Sequence, residues 1–293
     1  MSQGGIDPPA GELSRKGAEL PPATEGTTPS STGHLGPKLR VRYTKRGRMR
    51  FASHRDIARV LERALRRAEV PVAFSAGFTP HPKLSYVNAA PTGVASEAEY
   101  FEITLAEPVA PDEVRVRLDD AMPDGLDVAE VVKAAPGALA DRLEVSEWRV
   151  ELPGVGPDDA AEAVAAFTAA DTVEVERSTK KGRRTFDARA AVLHLEVDGR
   201  ATRDRDETYA ILRMVVRHTT PAVRPDDVVN GLRRVADLAR LSSPVMTRLA
   251  QGPLSDASDA IADPLAADAQ ADPAGRAVDT PRPNPPARSA PDA

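Results

Sequence analysis

The side chains best suited to chemistry are gathered on one short loop. Residues 75–86, SAGFTPHPKLSY, place His81 between Pro80 and Pro82, with Lys83 directly after them. Because each proline fixes its own φ and restricts the residue before it, the spacing predicts a stiff, extended backbone around His81. A histidine can exchange a proton near neutral pH, and a lysine supplies a compact positive charge. The loop therefore has the residue types of a small polar site.

Two interpretations of this loop remain open. In the first, it is a rigid crossover between two strands, where Gly77 adopts a positive φ and Phe78 packs on the core. In the second, His81, Lys83 and Tyr86 form a polar site that offers a proton donor or acceptor, a charge and a stacking ring. The residue types alone do not separate these interpretations.

A predicted helix upstream of the loop carries a stripe of arginines. Apolar residues between His54 and Glu69 recur at helical spacing, and Ser53 can cap the first turn. On the opposite side of the helical wheel, four arginines lie within roughly 80° of each other. They are Arg55, Arg59, Arg63 and Arg66. Because guanidinium groups bind phosphate oxygens well, this face is predicted to bind RNA, the alternative being an ordinary solvated helix surface.

The helix lies in a strongly basic part of an otherwise acidic chain. Between Lys38 and Lys83 there are 13 Lys and Arg against three Asp and Glu, whereas the whole chain has a net charge of −5. The preceding segment KLRVRYTK alternates like a strand and puts Arg40 and Arg42 on one face. We therefore expect a basic sheet surface beside the basic helix. A local basic block of this kind indicates a local anionic partner.

A second basic cluster is predicted at the tip of a hairpin. The segment RSTKKGRRTFDAR, residues 177–189, lies between two strand-like segments. A basic hairpin often serves only solubility, but this one carries an aromatic residue, Phe186, beside its charges. We expect it to extend the RNA-binding surface through Lys180, Lys181, Arg183 and Arg184.

Carboxylates are spaced closely in one strand-like segment. Glu97, Glu99 and Glu102 could suggest paired carboxylates for acid–base catalysis. However, Glu102 alternates with Phe101 and Ile103, which is typical of the solvent-facing side of a half-buried strand. A catalytic role is therefore not predicted for these glutamates.

The sequence predicts no metal, cofactor or standard catalytic set. The chain has no cysteine, which excludes disulfides, iron–sulfur clusters and thiol catalysis. His54 and His81 lack the spacing of a zinc site, and His194 and His218 are interpreted as ordinary strand histidines. No phosphate-binding glycine loop or nucleophile elbow occurs, and no set of nucleophile, base and orienting group is recognisable. The sequence gives no positive indication of an enzyme.

The order of strand-like and helix-like segments predicts an α+β fold. Two successive β-α-β-β-α-type units indicate two ferredoxin-like lobes side by side, residues 37–142 and 143–250. The flanking segments, 1–36 and 251–293, are rich in Pro with Gly, Ser and Thr, or with Ala and Asp, and are predicted to be disordered arms. No apolar run suggests a signal peptide or a membrane span, so we expect a cytoplasmic protein without a membrane partner.

The segment RFASHRDIARVLERALRRAEVPVAFSAGFTPHPKLSYVNAAPTGVASEAEYFEITL resembles the radical-SAM-associated domain of unknown function. The resemblance covers about residues 38–240 and implies a radical SAM protein as partner, but no activity. A radical SAM enzyme needs cysteines for its cluster, so this chain is not that enzyme itself. The residues on the family's motif positions are Ser53, His54, Asp56, Gly77, Phe78, Pro80, His81, Pro82, Lys83, Gly93, Ser96 and Glu99.

Together, these features predict a non-catalytic accessory protein that binds RNA, tRNA or rRNA, for a radical SAM enzyme. Two alternatives stay open. One is a metal-independent endoribonuclease similar in outline to CRISPR RNA-processing enzymes, with His54 or His81 as general base and Lys83 stabilising charge in the transition state. The other is a protein-docking module for the radical SAM partner, in which the basic face meets an acidic protein surface.

Overall fold

The structure is a computed structural model. It describes residues 36–179, 182–203, 207–236, 238, 242–255, 261–272 and 277–278. Of the predicted disordered arms, 1–36 and 251–293, the stretches 1–35, 256–260, 273–276 and 279–293 lie outside these residues. Within them, the fold is a mixed α/β structure with a large mixed sheet and five α-helices. No helix of the described residues is long and apolar enough to cross a membrane.

The first half of the fold follows the predicted order of strands and helices. Its elements are β1 (Lys38–Lys45), α1 (His54–Arg67), β2 (Leu84–Val87), β3 (Ala95–Thr104), α2 (Pro111–Ala121) and β4 (Val128–Lys133). The strands pair antiparallel in the order β4-β1-β3, and β2 pairs with the other edge of β3. Between β1 and α1 the chain forms a 3₁₀ helix (Gly47–Phe51).

The second half repeats this order with an inserted hairpin. Its elements are β5 (Val145–Leu152), α3 (Pro157–Ala169), β6 (Glu174–Thr179), β7 (Gly182–Asp187), β8 (Val192–Arg203), β9 (Glu207–Arg217), α4 (Pro225–Val235), β10 (Val245–Gly252), α5 (Ala266–Ala271) and β11 (Ala277–Val278). Four strands follow the order β10-β5-β9-β8, while β6 and β7 form a separate two-stranded sheet. β11 joins the outer edge of β4.

The two halves share one sheet. β10 lies parallel to β3, with Thr247 beside Ala95 and Arg248 beside Ser96. This pairing joins the strands of both halves into a nine-stranded sheet within the described residues. The strand β10 was not predicted from the sequence, yet it connects the two halves.

The helices bury the apolar faces that the sequence periodicity indicates. In α1, Ile57, Leu61 and Leu65 are buried in the same cluster as Val41 and Phe101 of the sheet. Burying each such side chain contributes roughly 1.5–3 kcal/mol to the free energy of unfolding. Because the apolar stripe faces the sheet, the arginine stripe of α1 faces outwards.

The prediction of a disordered tail from residue 251 is wrong for its described residues. Leu265 and Ala269 pack in a cluster with Tyr100 of β3. Asp268 is completely buried and forms ion pairs with Arg40 and Arg142. The sequence composition did not predict that this segment is ordered, because its main contact with the rest of the protein is a buried carboxylate and not an apolar stripe.

The same segment overturns the expectation of a basic sheet surface. Arg40 is buried and its guanidinium contacts Asp268 and Glu102, while Arg42 pairs with Glu130. Arg40 and Arg42 do share a face of β1, as predicted. However, α5 contributes a carboxylate to this face, so its positive charges are neutralised rather than presented to a partner.

Candidate functional site

The arginine stripe of α1 begins at a well-formed helix cap. The Ser53 hydroxyl accepts a hydrogen bond from the Asp56 backbone N–H (3.3 Å), and the Asp56 carboxylate accepts from the Ser53 backbone N–H (3.3 Å) and hydroxyl (2.7 Å). This capping box satisfies N–H groups that the first turn would otherwise leave unpaired. Two residues of the family motif, Ser53 and Asp56, thus have a structural explanation.

All four arginines of the stripe are exposed on the outer side of α1. We call Arg55, Arg59, Arg63 and Arg66 the basic face. Arg59 approaches Asp56 at 3.8 Å, a pair in which both side chains are more than half exposed. Among the described residues, the other three form no ion pair. The basic face therefore presents fixed positive charge to solvent, as predicted.

The loop that follows α1 is a small hairpin-like structure, which we call the histidine loop (residues 73–83). Its two sides are joined by hydrogen bonds from the Ser75 N–H to the His81 carbonyl (2.8 Å) and from the Lys83 N–H to the Ala73 carbonyl (2.8 Å). The His81 N–H also donates to the Ser75 hydroxyl (3.0 Å). At the tip, Gly77 has a φ of 124°, the positive-φ turn predicted for it.

Phe78 is fully exposed at the tip of the histidine loop. The interpretation in which its ring packs on the core is wrong, because the two sides of the loop pair with each other and leave the tip in solvent. Two further phenylalanines that the sequence did not single out, Phe51 and Phe74, are also more than half exposed. Phe51 lies just before α1, and its ring is 4.8 Å from the Arg50 guanidinium. Exposed aromatic rings thus accompany the basic face.

The predicted polar site around His81 is not assembled. Within the described residues, no hydrogen bond or ring contact joins the His81 side chain to His54, Lys83 or Tyr86. The Tyr86 ring packs instead against His54 (centroids 4.9 Å apart) and Phe101 (6.1 Å). Its hydroxyl is buried, and burial raises the pKa of Tyr86 well above its usual range. His54 and His81 are both exposed, without a shared reaction centre.

The second basic cluster is present in part. Lys180 and Lys181 lie outside the described residues. Arg183 and Arg184 are exposed in β7, with Arg183 3.5 Å from Glu176. The Phe186 ring lies 4.8 Å from the guanidinium of Arg177.

A buried ionic network lies where β3 meets β10. The Glu99 carboxylate pairs with Arg248 and accepts a hydrogen bond from the Ala90 N–H (3.0 Å). Arg248 also donates to the Ser96 hydroxyl (3.3 Å) and to the Gln251 side-chain oxygen (3.4 Å). Burial favours the neutral form of Glu99, but the Arg248 charge and these hydrogen bonds hold the pKa of Glu99 below its usual value.

Lys45 adds a second cation to this network. It is buried and donates to the backbone carbonyls of Ala90 (3.3 Å) and Pro91 (3.0 Å). Burial lowers the pKa of Lys45, and the neighbouring Arg248 charge lowers it further, against the opposing effect of Glu99. The network therefore holds two cations around one carboxylate.

The prediction that Glu102 lies on the solvent-facing side of its strand is wrong. Glu99 and Glu102 are almost completely buried, and Glu97 accepts a hydrogen bond from Arg46 (2.8 Å). The reason is that β3 is an inner strand whose two faces are both covered. Polar side chains at such positions survive because Arg248 and Arg40 pair with them.

A cavity of about 380 Å³, which we call the seam cavity, opens beside this network. Residues from both halves line it, among them Asn88, Pro91, Ser146, Trp148, His218 and Arg248. It lies between the loop after β2, the strands β5, β9 and β10, and the start of α4. The sequence did not single out Ser146, Trp148 or Arg248.

His218 is held in a defined orientation in this cavity. Its Nδ1 is 2.6 Å from the Leu143 carbonyl oxygen, which can only accept, so Nδ1 carries the proton. Burial lowers the pKa of His218, and the Arg248 charge lowers it further, although the Leu143 hydrogen bond opposes them. In the neutral ring, Nε2 therefore accepts from the Ser146 hydroxyl at 2.7 Å. The prediction of an ordinary strand histidine missed this pair because its members are 72 residues apart.

The remaining motif residues support the backbone or the network. Gly93 has a φ of 91°, and its N–H donates to the Arg50 carbonyl (2.7 Å). Ser96 and Glu99 belong to the buried network. Across the described residues, no group of three or more His, Asp or Glu is arranged to hold a metal ion.

The family model described as "Uncharacterized protein conserved in bacteria (DUF2344)" matches residues 38–225. The match spans more than half of the chain, and the chain belongs to this family. The matched region contains the basic face, the histidine loop and most of the seam cavity lining. The search of curated proteins found no match.

Proposed function

We propose that this member of an uncharacterized bacterial family is an accessory protein that binds RNA through the basic face and the histidine loop. The observation that carries the proposal is the exposure of four arginines on one side of α1 beside exposed phenylalanines. The RNA we expect is a tRNA or an rRNA. The basic face itself does no chemistry in this proposal.

The chemistry of the surface suits a single-stranded or looped RNA. Guanidinium groups bind phosphate oxygens without regard to sequence, which gives a salt-dependent affinity. Exposed aromatic rings such as Phe78 stack on unpaired bases, which adds affinity that salt affects less. Lys83 and the hairpin arginines Arg183 and Arg184 would extend the phosphate contacts.

The radical SAM partner and the two-lobe architecture are further parts of this proposal. The partner is supported by the resemblance of the motif residues. Two ferredoxin-like lobes, residues 37–142 and 143–250, are supported by the strand orders β4-β1-β3-β2 and β10-β5-β9-β8. The four strands of each half lie side by side in the order fourth, first, third, second. The inserted β6-β7 hairpin is left out of this count.

The test is fluorescence anisotropy of the full chain with bulk tRNA and a random single-stranded RNA over a series of salt concentrations. The wild type is compared with the variant Arg55/Arg59/Arg63/Arg66→Ala. Each phosphate contact on a single strand contributes about 0.7 to the slope of log K against log salt, so four lost contacts lower that slope by about 3. A matched control, Arg213/Arg217/Arg233/Arg234→Ala, removes the same charge from other exposed positions.

The control separates a specific surface from general charge. We expect the control variant to keep most of the wild-type slope. An equal decrease of the salt slope in both variants would show that net charge, rather than the basic face, attracts RNA. If no RNA binds at low salt and a radical SAM protein co-purifies with the chain, a protein-docking role would replace RNA binding as the proposed function. Cleavage of the RNA that is lost in His81→Ala would instead support an endoribonuclease.

A further inference from the structure

Beside the seam cavity, a serine hydroxyl is hydrogen-bonded to a histidine ring, and that ring is hydrogen-bonded to a backbone carbonyl. The Ser146 Oγ lies 2.7 Å from His218 Nε2, and His218 Nδ1 lies 2.6 Å from the Leu143 carbonyl oxygen. The second hydrogen bond fixes the ring so that the free lone pair of Nε2 points at the serine. A nucleophile joined to a base, which is in turn oriented by a third group, is the arrangement that activates a serine for attack.

We propose that Ser146 and His218 form a serine–histidine hydrolytic centre that acts on small carboxylic esters in the seam cavity. Ser146 Oγ bonds to the ester carbonyl carbon while its proton passes to His218 Nε2. The bond from that carbon to the alkoxy oxygen then breaks, and the alcohol leaves with the proton from His218. Water attacks the acyl-serine by the same route, which releases the carboxylic acid and returns the proton to Ser146.

Two further side chains that carry N–H groups, Asn88 and Trp148, line the cavity. Trp148 lines the cavity and is 6% exposed, and its ring centroid lies 5.5 Å from the Arg248 guanidinium. Asn88 Nδ2 lies 3.4 Å from His218 Nε2 and donates a hydrogen bond to Gln251 Oε1 (2.8 Å), so this amide is held beside the reacting atoms.

The lining indicates the class of ester. Pro91, Val216 and Val223 give the cavity apolar walls, and among the residues that the structure describes no carboxylate lines it. These walls suit a small apolar acyl group. Arg224 is an exposed member of the lining and suits an anionic group on the alcohol side. The volume of about 380 Å³ is within the range of small-molecule sites.

The first test is labelling of the full-length protein with a fluorophosphonate probe, read by intact mass and peptide mapping. In this reaction the serine oxygen displaces fluoride from phosphorus. We expect one adduct per chain on Ser146, no adduct in Ser146→Ala, and unchanged labelling in the control Ser85→Ala, which alters an exposed strand serine. His218→Gln should slow labelling by about 100-fold or more because it removes the general base. The rate of p-nitrophenyl butyrate hydrolysis should fall in the same order as labelling, from the wild type and Ser85→Ala through His218→Gln to Ser146→Ala.

The second test asks whether a molecule can reach position 146, since Ser146 is only 2% exposed. The chain has no cysteine, so Ser146→Cys introduces the single thiol of the protein. We expect iodoacetamide to alkylate it in the folded protein, and more slowly when His218→Gln is added. An unchanged melting temperature shows that the variant retains the fold.

The labelling of Ser146 either supports or overturns the proposed serine–histidine centre. Labelling on Ser146 that depends on His218 supports the proposal. A wild type without an adduct on Ser146 overturns it, and so does an adduct that persists in folded Ser146→Ala. If the wild type is unlabelled, alkylation of the Ser146→Cys variant shows whether reagents fail to reach position 146 or whether His218 fails to activate Ser146.

Discussion

The basic face and the seam cavity differ in how their residues come together. The four arginines of the basic face occur within twelve positions of one helix, and their spacing alone places them on one side. The cavity collects Asn88, Ser146 and His218 from segments up to 130 residues apart. The first region is a local property of the sequence, whereas the second exists only once β10 has joined the two halves.

The two regions also use charge in opposite ways. On the basic face, the Arg59–Asp56 pair is exposed, and such a pair contributes little to stability because water screens it. Beside the cavity, Arg248 and Glu99 are both about 2% exposed. Removing one member of a buried pair leaves the other charge without water or partner, which is costly. Exposed charge is therefore available for binding, and buried charge holds the halves together.

The largest effect that this comparison predicts is on stability, from Arg248→Met. We expect the free energy of unfolding to fall by about 3–5 kcal/mol, because the Glu99 carboxylate stays buried without its partner. The measurement is urea unfolding followed by circular dichroism. Arg213→Met is the matched control, since Arg213 is about half exposed and pairs with Glu147; it should cost less than about 1 kcal/mol.

A double variant sharpens this first prediction. Glu99→Gln removes the orphaned charge, so adding it to Arg248→Met should recover part of the lost stability. Equal costs for Arg248→Met and Arg213→Met would contradict the distinction between buried and exposed charge.

The elements that were predictable from the sequence are those with local signals. The helix α1 has an apolar stripe, a serine cap and an acidic residue in its first turn, and its start at His54 was predicted correctly. The exposure of the arginine stripe follows from the same periodicity, because the apolar stripe must face the sheet. These inferences need no information from distant parts of the chain.

The missed elements are those whose buried positions are polar. In β10, Arg248 and Gln251 point into the protein, so the segment VMTRLAQG shows no apolar alternation. In α5, the buried anchor is Asp268. A polar residue can be buried only when its partner is in place, and the partners Glu99 and Arg40 lie more than 140 residues away. The pairing of Ser146 with His218 was hidden for the same reason.

The second prediction concerns affinity and tests the exposed region. Phe78→Ala should weaken single-stranded RNA binding by about 1–3 kcal/mol, because a stacking ring is lost. The free energy of unfolding should stay unchanged, since the Phe78 ring is fully exposed. Anisotropy titrations and urea unfolding measure the two quantities.

Leu193→Ala is the control for this second prediction. It removes another exposed apolar side chain, on β8, and should change neither quantity. A Phe78→Ala protein that binds RNA as tightly as the wild type would remove the histidine loop from the RNA surface, although the basic face could still bind.

The smallest expected effect separates structure from function within the family motif. Ser53→Ala should lower the free energy of unfolding by about 1 kcal/mol, because the N-terminal turn of α1 loses its cap. RNA affinity of the folded protein should not change, since the arginines of the basic face remain in place. Ser85→Ala, in an exposed strand position, controls for the loss of a hydroxyl and should be neutral. If Ser53→Ala weakened RNA binding without affecting stability, Ser53 would belong to the binding surface, and the capping box would not be its main role.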